Sequence, residues 1–233
     1  MKLNSYFNQV ADMATRRSLW KMQEGINDMV IQKNPTGAMD YVVDLNSAVN
    51  GNGVDAPFDN MAAAITASNV SIGLSANRWW ARRNRIFVMG DGIEEDLTVL
   101  PEKCDVIGMG SDLYPFPRVI GAHVIALAKV ACRFINMGFQ ATGTGDLITT
   151  PAGCHGLSFI DSVFTASTAG NTKALEITDS AHVYISGNRF LSAAGVAAAG
   201  IFGLAIGIEG TASIHDLQIS NNKIFATAGI AIA

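Results

Sequence analysis

The chain has 233 residues, 49% of them hydrophobic and only 15% charged, with a formal net charge of -4. A chain this long and apolar buries a sizeable core and is not disordered, and its slight acidity gives no electrostatic footprint for nucleic acid. No apolar run is long enough to span a bilayer, residues 1–20 lack the apolar region of a signal peptide, and Cys104, Cys132 and Cys154 form no CxxC pair and read as buried, reduced thiols.

Residues 1–38 form the first expected unit. Phe7, Val10, Met13, Trp20, Met22, Ile26, Met29 and Val30 recur at a loose helical spacing, with Gly25 as an interruption. A helix rich in Met and aromatics without a core of its own predicts an arm that packs on another chain. Phe7, Val10, Trp20, Ile26 and Met29 are its expected docking residues.

Residues 39–83 follow as a second unit. Tyr41–Asp44 alternates like a strand, Gly51–Gly53 makes a turn, and Ala56–Ser68 reads as a helix with Phe58, Met61, Ala64 and Ile65 facing inward. Such a helix is expected to cap an open sheet edge. The link to the next strand carries "RWWARR". Trp79 and Trp80 can stack on sugars and Arg78, Arg82 and Arg83 can bond to acidic groups, but the same residue types mark subunit contacts, and a contact is favoured here.

Residues 84–233 lack helical periodicity and repeat one phrase: "CRFINMGF" from Cys132, "LSFIDSVF" from Leu157, "VYISGNRF" from Val183 and "LQISNNKI" from Leu217. The third-position residues Phe134, Phe159, Ile185 and Ile219 stand 25, 26 and 34 residues apart. A second alternating strand precedes each copy: "VIAL", "DLIT", "ALEI" and "AIGI". The Leu framework of a leucine-rich repeat is missing, and the unit is too short for a propeller blade. A parallel β-helix remains, with each strand hydrogen-bonded to its equivalent one coil away, about 4.8 Å off. It predicts one internal column of Phe134, Phe159, Ile185 and Ile219 and another of Phe139, Phe164, Phe190 and Ile224. Asn136, Asp161, Asn188 and Asn221 or Asn222 are expected at one corner, where Asn tolerates the left-handed backbone.

Tyr41–Asp44, Gly51–Gly53, then Pro57, Phe58, Met61, Ala64 and Ile65, then Ile86–Val88, Gly92, Glu95, Leu97, Val99, Ile107, Gly108 and Gly110 together resemble the opening of the pectate-lyase-like superfamily. The resemblance covers residues 41–233 and implies a single-stranded right-handed parallel β-helix, an all-β solenoid with an N-terminal helical arm and a capping helix. It is specific for fold and weak for activity, because the superfamily holds lyases, hydrolases, esterases, viral tailspikes and structural proteins.

The chemistry is sparse. Glycan hydrolysis needs paired carboxylates, and Glu176, Asp179 and Glu209 are the catalytic candidates, with Glu176 and Glu209 flanking equivalent strands. Polysaccharide lysis would need an acidic cluster with a clustered base, and the few cations of residues 124–233 are scattered. His155, His182 and His215 precede successive coils but are out of register by one, so neither a metal nor any other cofactor is expected. "FATAGIAIA" at residues 225–233 alternates with no polar cap, which predicts that a further segment or another subunit covers it. The combined expectation is a bacteriophage virion component resembling a tailspike or tail fibre. It would be a homotrimer, docked on other virion proteins through residues 1–38, with host surface polysaccharide as a further partner. A carbohydrate-active enzyme of the same fold, a hydrolase or lyase, is the alternative.

Overall fold

The computed structural model describes residues 38–73, 83–110, 117–193, 200–210 and 214–232. Residues 1–37 of the expected arm, with all its docking residues, therefore lie outside the described residues, as do Arg78, Trp79, Trp80 and Arg82. The rest begins with β1 (Asp40–Asp44) and α1 (Met61–Gly73). The next strands are β2 (Asn84–Met89), β3 (Gly92–Glu94), β4 (Cys104–Gly108), β5 (Arg118–Gly121) and β6 (His123–Val124). Then come β7 (Cys132–Ile135), β8 (Gly138–Ala141), β9 (Ile148–Thr150), β10 (Ser158–Ile160), β11 (Val163–Thr165) and β12 (Asn171–Thr178). The last are β13 (Tyr184–Ser186), β14 (Arg189–Leu191), β15 (Phe202–Glu209), β16 (Gln218–Ser220), β17 (Lys223–Ile224) and β18 (Ala226–Ile232).

These strands form three sheets, all parallel: β1-β2-β4-β7-β10-β13-β16, β17-β14-β11-β8-β5-β3 and β18-β15-β12-β9-β6. Each sheet takes one strand per coil, which makes the molecule a three-sided parallel β-solenoid. The repeated phrase is thus two strands flanking a corner, and its eighth residue belongs to a strand of its own. The segments before each phrase supply the third side.

Both expected columns are present. Phe134, Phe159, Ile185 and Ile219 pair in register along the first sheet, and Phe139, Phe164, Phe190 and Ile224 along the second. Phe164 stacks on Phe139 at 5.4 Å and on Phe190 at 4.8 Å, while Phe159 meets it edge-on at 5.5 Å. Stacked rings along a sheet and T-shaped rings across it are the arrangements the ring quadrupole favours.

The corner is tighter than the sequence suggests. Asn136, Asp161, Gly187 and Asn221 carry positive φ there, so Gly187, and not Asn188, takes the left-handed place. Asn188 is one residue further on and fully buried. It belongs to a hydrogen-bond ladder in which each backbone N–H donates to the side chain one coil on. Met137 donates to Ser162 Oγ (3.3 Å), Ser162 to Asn188 Oδ1 (2.9 Å) and Asn188 to Asn222 Oδ1 (2.9 Å). Buried donors at a turn need partners, and the asparagine amide supplies an acceptor to one coil and a donor to another. Gly108 has a related cause: a Cβ there would lie 2.0 Å from the carbonyl oxygen of Asn136 at the same corner one coil on.

At the other end α1 starts five residues later than the sequence predicts, because Phe58 pairs as an isolated bridge with Val43. Asn60 caps the helix through the N–H of Ala63 (2.8 Å). Glu95 reaches over from the first coil to accept from Met61 (2.8 Å) and Ala62 (2.7 Å). A carboxylate on exposed first-turn N–H groups also opposes the helix dipole. Met61, Ala64, Ile65 and Ser68 are buried, and α1 packs against β1 and β2.

Candidate functional site

The acidic candidates are drawn into the scaffold. Glu176 pairs in register with Gly207, and Glu209 with Thr178, so the two glutamates do not stack. Lys173 nevertheless joins them: Nζ pairs with the Glu176 carboxylate and lies 2.8 Å from Glu209 Oε1. Burial pushes the Glu176 carboxyl up, whereas Lys173 holds Glu209 down and is itself raised. Asp179 is a corner residue at φ 34°, with Oδ1 lying 2.0 Å from where a Cβ on Gly210 would stand.

Other charges are used the same way. Arg85 binds Asp40 through two nitrogens at 2.6 and 2.7 Å. Arg133 binds Asp105 through two nitrogens at 2.5 and 2.6 Å, and Arg83 pairs with the same carboxylate. Arg83, expected in the Trp/Arg site, thus ties the first sheet's outer face. Burial alone would raise the Asp105 carboxyl, but its hydrogen bonds to Arg133 and Arg83 outweigh that and lower it. The acidic run after Gly90 is also structural in part: Glu95 caps α1, and Asp96 Oδ1 accepts from Ala122 N–H at 2.8 Å.

The histidines diverge. His155 Nδ1 accepts from the Ala181 N–H at 3.0 Å. His123 is 1% exposed, and its Nδ1 accepts from the Leu97 N–H at 3.1 Å. Burial lowers the His123 pKa from 6.5 to about 4. A base with a depressed folded pKa stabilises the fold fully above the unfolded value of 6.5, and this contribution is lost as pH falls towards 4. The loss amounts to about 3 kcal/mol at most. Urea midpoints are expected to drop between pH 7 and pH 4.5 in the parent chain and to change much less in His123→Gln.

His182 and His215 come together at an exposed corner with Asp216. Asp216 Oδ2 lies 3.0 Å from His182 Nδ1 and 3.3 Å from His215 Nδ1, and the two rings are edge-to-face at 5.1 Å. His182 and Asp216 occupy equivalent left-handed positions on successive coils, with φ of 57° and 54°. Comparing histidines alone hides this, because the partner of His182 one coil on is Asp216.

A concavity lies on the outer side of the second sheet. It measures about 490 Å³. Outward side chains of β3, β5, β8 and β11 form its floor: Glu94 beside Ile120, then Gln140, then Thr165. Arg118 spans the floor, donating from Nη1 to Gln140 Oε1 at 3.1 Å. Gly138 leaves it room, since a Cβ there would lie 2.6 Å from Arg118 Cγ. Thr142 and Thr168 add hydroxyls at the rim. The groove thus presents a carboxylate, a guanidinium, an amide and hydroxyls over an aliphatic patch, which suits a hydroxyl-rich ligand. Glu94 is its single carboxylate among the described residues. Arg118, Ile120, Gln140 and Thr165 do not stand out in the sequence, where each is an ordinary outward strand position. Comparisons with protein-family models, with curated proteins and with solved structures each found no match.

The three cysteines are buried and unpaired with one another. Burial pushes the Cys104 thiol up to about 12 and raises Cys132 and Cys154 as well, which leaves them poor nucleophiles.

Proposed function

We propose that this chain is a right-handed parallel β-helix of the pectate-lyase-like type, serving as shaft and host-recognition element of a bacteriophage particle. It acts as a homotrimer that docks through residues 1–38 and binds a surface polysaccharide in the Arg118–Gln140 groove. The observation carrying this reading is the groove itself: hydroxyl-matching groups with one described carboxylate, where hydrolysis by the usual route needs two. The phage assignment draws on the resemblance of residues 41–233. The coil-to-coil ion pairs support a rigid shaft.

The test is a binding and cleavage assay of the full chain against a panel of bacterial surface polysaccharides. Binding is expected without new reducing ends or unsaturated products, and Arg118→Ala is expected to weaken it about tenfold. No binding to any polysaccharide, or binding unchanged in Arg118→Ala, would overturn the recognition role.

A carbohydrate-active enzyme is the second reading, favoured by the convergence of the Glu176 and Glu209 carboxylates on Lys173 Nζ. Glycoside hydrolysis uses two neighbouring carboxyls, one as acid and one as base or nucleophile. That reading requires product formation that Glu176→Gln and Glu209→Gln both abolish.

A further inference from the structure

We propose that His182, His215 and Asp216 form a binding site for a divalent transition metal, Zn²⁺ being the natural occupant, which clips two successive coils together. This inference does not depend on the proposed function. It starts from the coil register. Left-handed residues recur at the corner ahead of the first sheet: Lys103, Ala131, Gly156, His182 and Asp216. The His182 N–H donates to the His215 carbonyl at 3.0 Å, which fixes one coil edge against the next. That bond holds His182 against the His215–Asp216 pair.

The three ligand atoms all lie within 4.8 Å of one another, and all three side chains are exposed. Ligands at ~2.0–2.1 Å around a tetrahedral ion stand ~3.3 Å apart. The two contacts to Asp216 Oδ2, 3.0 and 3.3 Å, are already near that edge length. Small rotations of exposed side chains bring the two Nδ1 atoms to the same spacing. Two imidazoles and a carboxylate form a borderline donor set that suits Zn²⁺, Co²⁺ or Ni²⁺ better than Ca²⁺ or Mg²⁺. Water would complete the coordination on the open side. Both imidazoles must bind as neutral bases, and the single carboxylate leaves a site of net charge +1 with a divalent ion.

The corner is separate from the other histidines. His123 and His155 both use Nδ1 to accept a backbone N–H, and the chain contains four histidines. A histidine-dependent site therefore has to involve His182 and His215.

Metal-free full-length chain titrated with Zn²⁺ in a calorimeter, and with Co²⁺ in the visible range, tests the proposal. One equivalent per chain is expected, with the d–d absorption of a low-symmetry Co²⁺ site. Asp216→Asn and His182→Ala should each weaken binding at least about tenfold. Because the side chains are exposed, both variants should keep the parent circular dichroism. Zn²⁺ should raise the thermal midpoint of the parent and not that of His182→Ala/His215→Ala, since an ion bridging two coils binds only the folded state. No binding at millimolar metal, or binding that persists in the double variant, would overturn the site. The three groups would then be a hydrogen-bonded corner only.

Discussion

Phe164→Ala is expected to lower the unfolding free energy by about 3–5 kcal/mol, measured as a shift in urea midpoint followed by circular dichroism. Phe164 is fully buried at the centre of the ring column, stacked on Phe139 and Phe190 and edge-on to Phe159. Truncation removes three ring contacts and leaves a cavity whose walls are in-register strands. These walls cannot collapse without shifting β8 and β14, both of which pair with β11. Ile224→Ala, in the same column, removes a side chain that is only half-buried. Its expected loss is about 1–2 kcal/mol. Equal losses at the two positions would contradict the column as the main source of stability.

Asn188→Ala is expected to cost about 2–4 kcal/mol, more than truncation of a side chain this small would cost by packing alone. Asn188 Nδ2 donates to the Phe159 carbonyl at 2.9 Å, and Oδ1 accepts from the Ser162 N–H at 2.9 Å. Removing the amide orphans two buried backbone groups, each worth about 1–3 kcal/mol of lost solvation. Asn188→Asp separates the two roles. A carboxylate keeps the acceptor for Ser162 but cannot donate to Phe159, and it places a charge at a fully buried position. Asn188→Asp is therefore expected to be at least as destabilising as the alanine at pH 7. A loss below about 0.5 kcal/mol in Asn188→Ala would mean that the ladder is not needed.

The solenoid was legible because its core repeats. Phe134, Phe159, Ile185 and Ile219 occupy one position in each coil, and a period-two strand leaves no other place for them. The corner was read one residue out at Asn188. Glycine and asparagine both accept left-handed backbone, and in "SGN" only the structure separates Gly187, which turns, from Asn188, which bonds. The helix forms but begins later than its pattern suggests, since Phe58 fits a helical face and a bridge to Val43 equally well by pattern.

The site was less legible, for a reason tied to the fold. In a solenoid, side chains that act together come from different coils, and the loops between coils vary in length. Glu176 and Glu209 looked stackable from their strands, but the register offsets them and Lys173 lies between. Glu94, Arg118 and Gln140 line one groove while separated in sequence by whole coils, with no local motif. His182 and Asp216 share a corner only when the left-handed residues, not the histidines, are aligned.

The proposed virion role rests on assembly as well as on fold, and sedimentation equilibrium of the full chain tests it most directly. The account predicts a single species at three times the chain mass of 24.6 kDa. A monodisperse species at one chain mass, stable across the concentration range, would contradict it.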